Sequence, residues 1–285
     1  MMSNNSKLSS NDYQSCEIIE DDIIIPIIQS TEDNQSTEDN EATEEITKIK
    51  KPREKTKATV LSRFYLEDPT INEIGVDEVG RGPLFGRVYT AAVILPKDDS
   101  FDHSKMKDSK KFTSKKKILD AAQYIKEHAL SWYISYEDEK IIDDINILQA
   151  TQQSMHKSIE GVISKYNKKY HAVENSNKFL GLIDGNYFKP YTSFNKTKKI
   201  VEQLPHVCIE GGDNKLSAIA AASILAKVER DTYIADLCNE NPELIEKYSI
   251  DSNKGYGAAK HLEGIKEHGI TIWHRRSFGI CKNYV

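Results

Sequence analysis

The chain has 285 residues with 44 acidic and 39 basic side chains, a net charge of −5 and a mean hydropathy of −0.58. That length holds one large domain or two small ones, and no segment approaches the roughly 18 uninterrupted apolar residues of a membrane span. The four cysteines, Cys16, Cys208, Cys238 and Cys281, form no CxxC pair, which argues against a zinc ribbon or a disulfide scaffold and for a reducing compartment.

The charge is unevenly spread. Residues 1–47 hold twelve acids and one lysine, so they carry −11 and leave +6 for the rest. Such a mildly basic body suits a polyanionic partner. Residues 1–57, rich in Ser, Asn, Thr and acids, read as a disordered arm, and 58–285 as a single folded domain. Within the arm, Ile23-Ile24-Ile25-Pro26-Ile27-Ile28 admits three readings: a chance apolar run, a docking motif for a protein partner, or an added strand. The run Lys48, Lys50, Lys51, Arg53, Lys55 and Lys57 reads as a nucleic-acid contact, a nuclear address or a solvated linker. The start has no basic stretch followed by an apolar core, so secretion is not expected. The expected location is the cytoplasm, or the nucleus in a eukaryotic host, without membrane association and as a monomer.

The folded body is expected to begin near Leu61. Ile71–Val79 and Gly86–Leu95 read as strands joined by a short link, hence an antiparallel pair, with Pro96 closing the second. Lys105–Lys111 is a polar loop. Thr113 or Ser114 can cap a helix carrying Ile118, Leu119, Ala122 and Ile125 at helical spacing. Ala129–Tyr136 reads as a third strand. Ile145–Tyr166 reads as a long helix with Leu148, Met155, Ile159, Val162 and Ile163 as its buried stripe, and Asn146, Gln149 and Gln153 as residues that interrupt it or flank a site. Phe179–Ile183 is a short strand delivering Asp184, and Pro205–Glu210 another ending at Gly211-Gly212-Asp213. A helix over Asn214–Leu237 opens with Ser217, Ala218, Ala220, Ala221, Ala222, Ser223 and Ala226, small enough for its backbone to lie close against a neighbour. A turn at Lys254-Gly255-Tyr256-Gly257 and a helix over Ala258–Glu267 precede a basic ending, His274-Arg275-Arg276-Ser277-Phe278. The order predicts an α/β domain with a mixed central sheet. No glycine fingerprint stands at a first strand-to-helix crossing, which lowers the case for a dinucleotide fold.

Four acids stand out. Asp77 and Glu78 are adjacent in a strand whose side chains alternate between faces, so one of them must lie where a helix would cover it and an unpaired carboxylate is costly. Asp184 ends a strand before Gly185, and Asp213 precedes the small-residue helix. Each has a plainer reading: Asp213 as a helix cap and Asp184-Gly185 as a turn. Acids at strand ends can converge on the ligand face of an α/β sheet. Four together would repel one another unless cations were present, and all-oxygen donors suit Mg2+ or Mn2+. Two such ions support phosphodiester displacement. Gly80-Arg81-Gly82 permits close backbone approach to a ligand, with Arg81 available for phosphate. Lys110, Lys215, Lys227, Arg230, Arg275 and Arg276 are candidates for backbone phosphates.

Asp77-Glu78-Val79-Gly80-Arg81-Gly82-Pro83 resembles the opening active-site motif of ribonuclease HII, the type 2 ribonuclease H family. The likeness continues in order through Asp108-Ser109-Lys110-Lys111, Asn146–Ala150, Ile183-Asp184-Gly185, Gly212–Lys215, Ala220–Asp231, Gly255-Tyr256-Gly257 and His274–Phe278. It implies a ribonuclease H-like mixed sheet flanked by helices, with a C-terminal helical segment. The implied enzyme is an endonuclease that cuts the RNA strand of RNA–DNA hybrids and nicks duplex DNA 5′ of embedded ribonucleotides, leaving 5′-phosphate and 3′-hydroxyl ends. On the same resemblance, Asp77, Glu78, Asp184 and Asp213 are the catalytic residues holding two divalent cations. Gly80, Arg81 and Gly82 sense the ribose 2′-hydroxyl, Lys110 helps hold the backbone, and Tyr256 packs on the neighbouring deoxyribose. Asn214 stands where the family often has a small residue and is expected to affect how the helix starts more than the number of ligands. His274 is left between a nucleic-acid contact, a cap and simple packing. The sister family ribonuclease HIII characteristically lacks the Gly-Arg-Gly turn present here. A non-catalytic hybrid-binding module would have no need of the four acids.

Overall fold

The computed structural model describes residues 60–170, 178–195 and 198–284. The expected acidic arm, its isoleucine patch and its whole basic run lie outside the described residues. Ser62 pairs with the start of the helix that opens at Ser217, its N–H donating to Lys215 O at 2.8 Å and its carbonyl accepting from Ser217 N–H at 3.0 Å. These bonds tie the chain beside Leu61 to the start of that helix.

A five-stranded sheet forms the centre. Its strands are β1 (Ile71–Val79), β2 (Val88–Ile94), β3 (Ser131–Glu137), β4 (Lys178–Asp184) and β7 (His206–Ile209), in the order β3-β2-β1-β4-β7. β1–β2 and β2–β3 are antiparallel, whereas β1–β4 and β4–β7 are parallel. β2 is buried along its whole length, as its apolar run Val88–Ile94 implies.

The alternation along β1 decides which helix each side chain meets. Ile74 and Val76 face α2 (Glu139–Lys169), packing with Met155, Ile159 and Val162. On the opposite face lies α3 (Ser217–Glu240), whose residues Ser217–Ala226 are all buried. A helix apolar on every side is a core helix, and the physical reason here is contact of backbone on backbone. A Cβ added at Gly75 would sit 2.1 Å from the carbonyl carbon of Ala218. α1 (Lys115–His128) covers the outer side of α3 through Ala121, Ala122 and Ile125.

Two expected apolar stripes need correction. Leu119 and Leu148 are 40% and 36% exposed. In α1 the buried face runs through Ala121 instead of Leu119. In α2 the helix is broken at Asn146, where φ is 68° and ψ 163°, and Leu148 stands in the first turn after the break, exposed although it is in phase with Met155 and Ile159. The Asn146 side-chain Oδ1 accepts from the Gln149 N–H at 3.1 Å and caps the restarted helix. A two-stranded hairpin, β5 (Thr192–Asn195) with β6 (Ile200–Gln203), was not expected. Its Phe194, Ile200 and Val201 are exposed, so no alternation marked it.

After α3 come α4 (Glu243–Tyr248), α5 (Ile250–Asn253) and α6 (Ala259–His268), and the described chain ends in a 3-10 segment over Gly279–Tyr284. They enclose a further core of Phe85, Ile234, Leu244, Tyr248, Ile265 and Cys281. Among the described residues, no helix is long and apolar enough to cross a membrane.

Candidate active site

The register of the parallel pair creates the site. Val76 of β1 stands opposite Ile183 of β4, so one residue further along Asp77 and Asp184 emerge side by side at the strands' carboxyl ends. Neighbouring strands lie about 4.8 Å apart, close enough for their carboxylates to repel. Asp77 points to the α3 face and is 5% exposed. It accepts the Glu78 N–H at 2.6 Å and a hydrogen bond from Ser223 of α3. Burial raises its pKa well above the usual carboxylate range, and the charges of Glu78 and Asp184 push it further. Of the adjacent acids, it is therefore Asp77 that lies under a helix, at the cost anticipated from the alternation.

Glu78 points the other way and meets Arg81, Nη1 to Oε1 3.2 Å. Its pKa is raised by burial, with Arg81 opposing the shift. Asp184 accepts the Gly212 N–H at 2.6 Å, and a Cβ on Gly212 would stand 3.3 Å from the same oxygen and 2.5 Å from Ile219 Cδ1. Gly212 thus lets the chain close over Asp184 and set Asp213 beside it. Asp213, 5% exposed, lies in a 3-10 turn, Gly212–Asn214, leading into α3. Burial raises its pKa first, followed by the charges of Asp108 and Asp184. Lys110 approaches Asp213 Oδ2 only to 3.9 Å from a side chain 82% exposed, so that pair is weak.

The four acids are brought together at one end of the sheet. Among the described residues, no set of three or more His, Cys, Asp or Glu side chains is arranged as a ready metal cage. Each carboxylate is turned instead onto a protein donor: Ser223 and the Glu78 N–H, Arg81, the Gly212 N–H, and Asn214. The donor chemistry itself fits hard divalent cations, since the clustered groups offer carboxylate oxygens.

The Gly80–Gly82 turn rests on two buried arginines, which overturns their expected role. Arg275 and Arg230 are 0% and 1% exposed and cannot grip a phosphate backbone. Arg275 donates to the carbonyls of Gly80 (2.6 Å), Arg81 (3.0 Å), Pro83 (2.9 Å) and Gly86 (2.8 Å). Arg230 donates to Lys254 O at 2.9 Å, Phe85 O at 3.3 Å and Arg87 O at 3.3 Å. Burial, with Arg230 as a secondary cause, brings the Arg275 pKa down to about 9. In a trans peptide the C=O and N–H point opposite ways. Carbonyls 80 and 81 drawn inward therefore turn the N–H groups of Arg81 and Gly82 outward. Gly80 is required twice over: its φ is 94°, and a Cβ there would lie 2.4 Å from Arg230 Nε.

The second turn docks on the first. Leu84 N–H donates to Gly255 O at 2.8 Å, and a Cβ on Gly255 would meet Phe85 O at 2.8 Å. This places Tyr256, 49% exposed, beside Gly82, from which a built Cβ would be 3.7 Å from Tyr256 Cε1. Tyr256 is thus a surface aromatic next to the turn, not a core residue. Lys227 is paired with Asp231 at 2.6 Å, while Lys215 and Arg276 are exposed. His274 belongs to the interior. It is 1% exposed, its Nε2 lies 3.1 Å from His261 Nε2, and Thr271 N–H donates to its Nδ1. Burial pulls its pKa down to about 3, so it packs as a neutral ring.

Residues that the sequence reading passed over as site members are Ser109, Ser223 and Asn214. Ser109 Oγ lies 3.0 Å from Ser223 Oγ, next to Asp77. The Asn214 amide donates to Asp213 Oδ1 at 3.0 Å. Its expected role in starting the helix understated it. The only signal was its position next to Asp213.

A mixed sheet with acids at the ends of adjacent parallel strands and at the start of the covering helix defines a ribonuclease H-like fold. The same fold appears in the crystal structure of ribonuclease H2 from Pyrococcus horikoshii, with a TM-score of 0.55 at 19% identity, covering 75% of this chain and 96% of that one. It appears too in the RNase HII of a PCNA:RNase HII complex from Archaeoglobus fulgidus, with a TM-score of 0.52 at 20% identity, covering 73% and 96%. The ribonuclease HII family profile matches residues 74–281. Ribonuclease HII of Cytophaga hutchinsonii is 40% identical over 206 residues, 72% of this chain and 88% of that protein. That of a Janthinobacterium species is 43% identical over 218 residues, 76% and 89%. The chain belongs to the ribonuclease HII family and is an endoribonuclease of the type 2 ribonuclease H kind, acting on RNA–DNA hybrids.

Proposed function

We propose that the protein, besides cutting the RNA strand of hybrids, nicks duplex DNA on the 5′ side of an embedded ribonucleotide and leaves 5′-phosphate and 3′-hydroxyl ends. The observation that carries this reading is the juxtaposition of a buried carboxylate group with an outward-facing Gly-Arg-Gly turn that adjoins an exposed tyrosine. Asp77, Glu78, Asp184 and Asp213 would hold two divalent cations, Mg2+ or Mn2+. When bound, such ions supply charge neutralisation and water activation for an in-line phosphoryl displacement.

The remaining work falls to the chain. Arg81 and Gly82 present backbone N–H groups to the sugar beside the scissile phosphate. A ribose hydroxyl can both donate and accept there, whereas deoxyribose cannot, and this difference separates RNA from DNA. Tyr256 supplies a flat apolar face for the adjoining deoxyribose, so an RNA-to-DNA step fills the site better than continuous RNA. Arg81 and the exposed Lys110 stand at the rim as phosphate partners.

The test is a 5′-labelled duplex with one ribonucleotide, incubated with Mg2+ or Mn2+. A single nick 5′ of the ribonucleotide is expected. Cleavage confined to longer RNA tracts would refute the junction activity. A second variant isolates the tyrosine. Tyr256→Ala is expected to slow junction cutting by about tenfold, the worth of roughly 1.4 kcal/mol, and cutting within a continuous hybrid by much less. Equal losses on the two substrates would remove Tyr256 from junction selection.

A further inference from the structure

The carboxamide of Asn214 stands between two acids. Its Nδ2 donates to Asp213 Oδ1 at 3.0 Å and to Asp108 Oδ2 at 3.3 Å, while its Oδ1 accepts from Lys111 Nζ. Both amide hydrogens and the carbonyl are therefore used. All three partners belong to short turns: Asp213 to Gly212–Asn214, and Asp108 and Lys111 to the 3-10 turn over Ser109–Lys111 with its cap. Asp108 has its other oxygen on the Lys110 N–H at 2.8 Å, which holds it in place. It is 7% exposed and Asp213 is 5% exposed. Two buried carboxylates facing each other attract only if a donor lies between them. An amide NH2 is well suited because it donates twice and carries no charge of its own.

This bridge also selects an oxygen. With Oδ1 of Asp213 engaged by the amide, Oδ2 is the oxygen the amide leaves unengaged, 3.9 Å from the exposed Lys110 Nζ. We propose that Asn214 is a positioning residue: it spaces Asp213 from Asp108 and fixes the Asp213 rotamer that presents Oδ2 to a divalent cation. The inference rests on the reading of Asp213 as a cation ligand. It makes the Asp108–Lys111 turn part of the site's support, reaching Asp213 through Asn214 and Asp77 through Ser109 and Ser223.

The experiment measures Mn2+ binding to the full chain without nucleic acid, by calorimetry, together with kcat and KM on a single-ribonucleotide duplex. Asn214→Ala is expected to weaken Mn2+ binding and lower kcat by about tenfold each, the usual cost of losing a hydrogen bond behind a metal ligand. The KM for the duplex should stay within about twofold, since no substrate contact is lost. Asp108→Asn placed in the Asn214→Ala background should recover most of the Mn2+ affinity, because it removes the charge that the amide had separated. Unchanged affinity and kcat in Asn214→Ala, or no recovery in the double variant, would overturn the proposal. Should Asn214→Ala fail to fold, Asn214→Ser is measured by the same criteria. Asp213→Asn is run alongside. Wild-type Mn2+ binding there would defeat the cation-site reading itself, whereas loss there with an unaffected Asn214→Ala would defeat only the role of Asn214.

Discussion

Asp77→Asn is expected to abolish cleavage, by about a thousandfold or more, while hybrid affinity stays within about threefold. The amide keeps the shape of the side chain and an oxygen to accept from Glu78 N–H and Ser223, but it loses the negative charge. In the wild type burial lifts the pKa of that group, and the charges of Glu78 and Asp184 push it further. An acid held in such a place weakens the fold when ionised, so the variant should melt at the same temperature or higher. Single-turnover cleavage, equilibrium binding and a thermal melt on one preparation decide the matter. Wild-type turnover in Asp77→Asn would exclude the carboxylate from the chemistry. A lower melting temperature would mean that lost activity reported a damaged fold.

Arg275→Met should be among the most destabilising single changes in the body. The side chain supplies four hydrogen bonds to backbone carbonyls of Gly80, Arg81, Pro83 and Gly86 from a fully buried position. Methionine fills much of the volume but satisfies none of those acceptors. Leaving several buried carbonyls unpaired costs on the order of 3–5 kcal/mol, partly offset by no longer burying a charge. The urea midpoint should fall accordingly. Where the variant is still folded, cleavage should be impaired because the outward N–H groups of the turn lose their backing. Arg276→Met is the matched control: Arg276 is exposed and uses its backbone N–H on Asp143, so a change within about 0.5 kcal/mol is expected. Equal midpoints for the two variants would show that the buried guanidinium does not hold the turn.

The sheet was legible because its evidence is local. Val88–Ile94 is apolar apart from Thr90, Ile71–Val79 carries Ile71, Ile74, Val76 and Val79, and a short link between them leaves little choice but an antiparallel pair. The hairpin Thr192–Asn195 with Ile200–Gln203 was not legible, since each strand is four residues long with its apolar side chains in solvent. Leu148 misled for the opposite reason. Its spacing to Met155 and Ile159 is in phase, but it stands in the first turn after the break at Asn146 and is exposed there.

The chemistry divides in the same way. The sequence by itself determined which residue types could act: adjacent acids in an apolar strand, acids closing a second strand and opening a helix, and glycines where backbone must approach backbone. It did so because strand alternation and residue chemistry are properties of neighbours along the chain. Only the tertiary structure decided that Asp77 is the buried partner and Glu78 the one facing Arg81. The tertiary structure also assigned Arg230 and Arg275 to carbonyls inside the fold and joined Asn214 to Asp108. An arginine has the same charge wherever it stands in a sequence. What it binds depends on whether carbonyls or solvent surround it, and those carbonyls lie nearly 200 residues away along the chain, from Gly80 to Arg275.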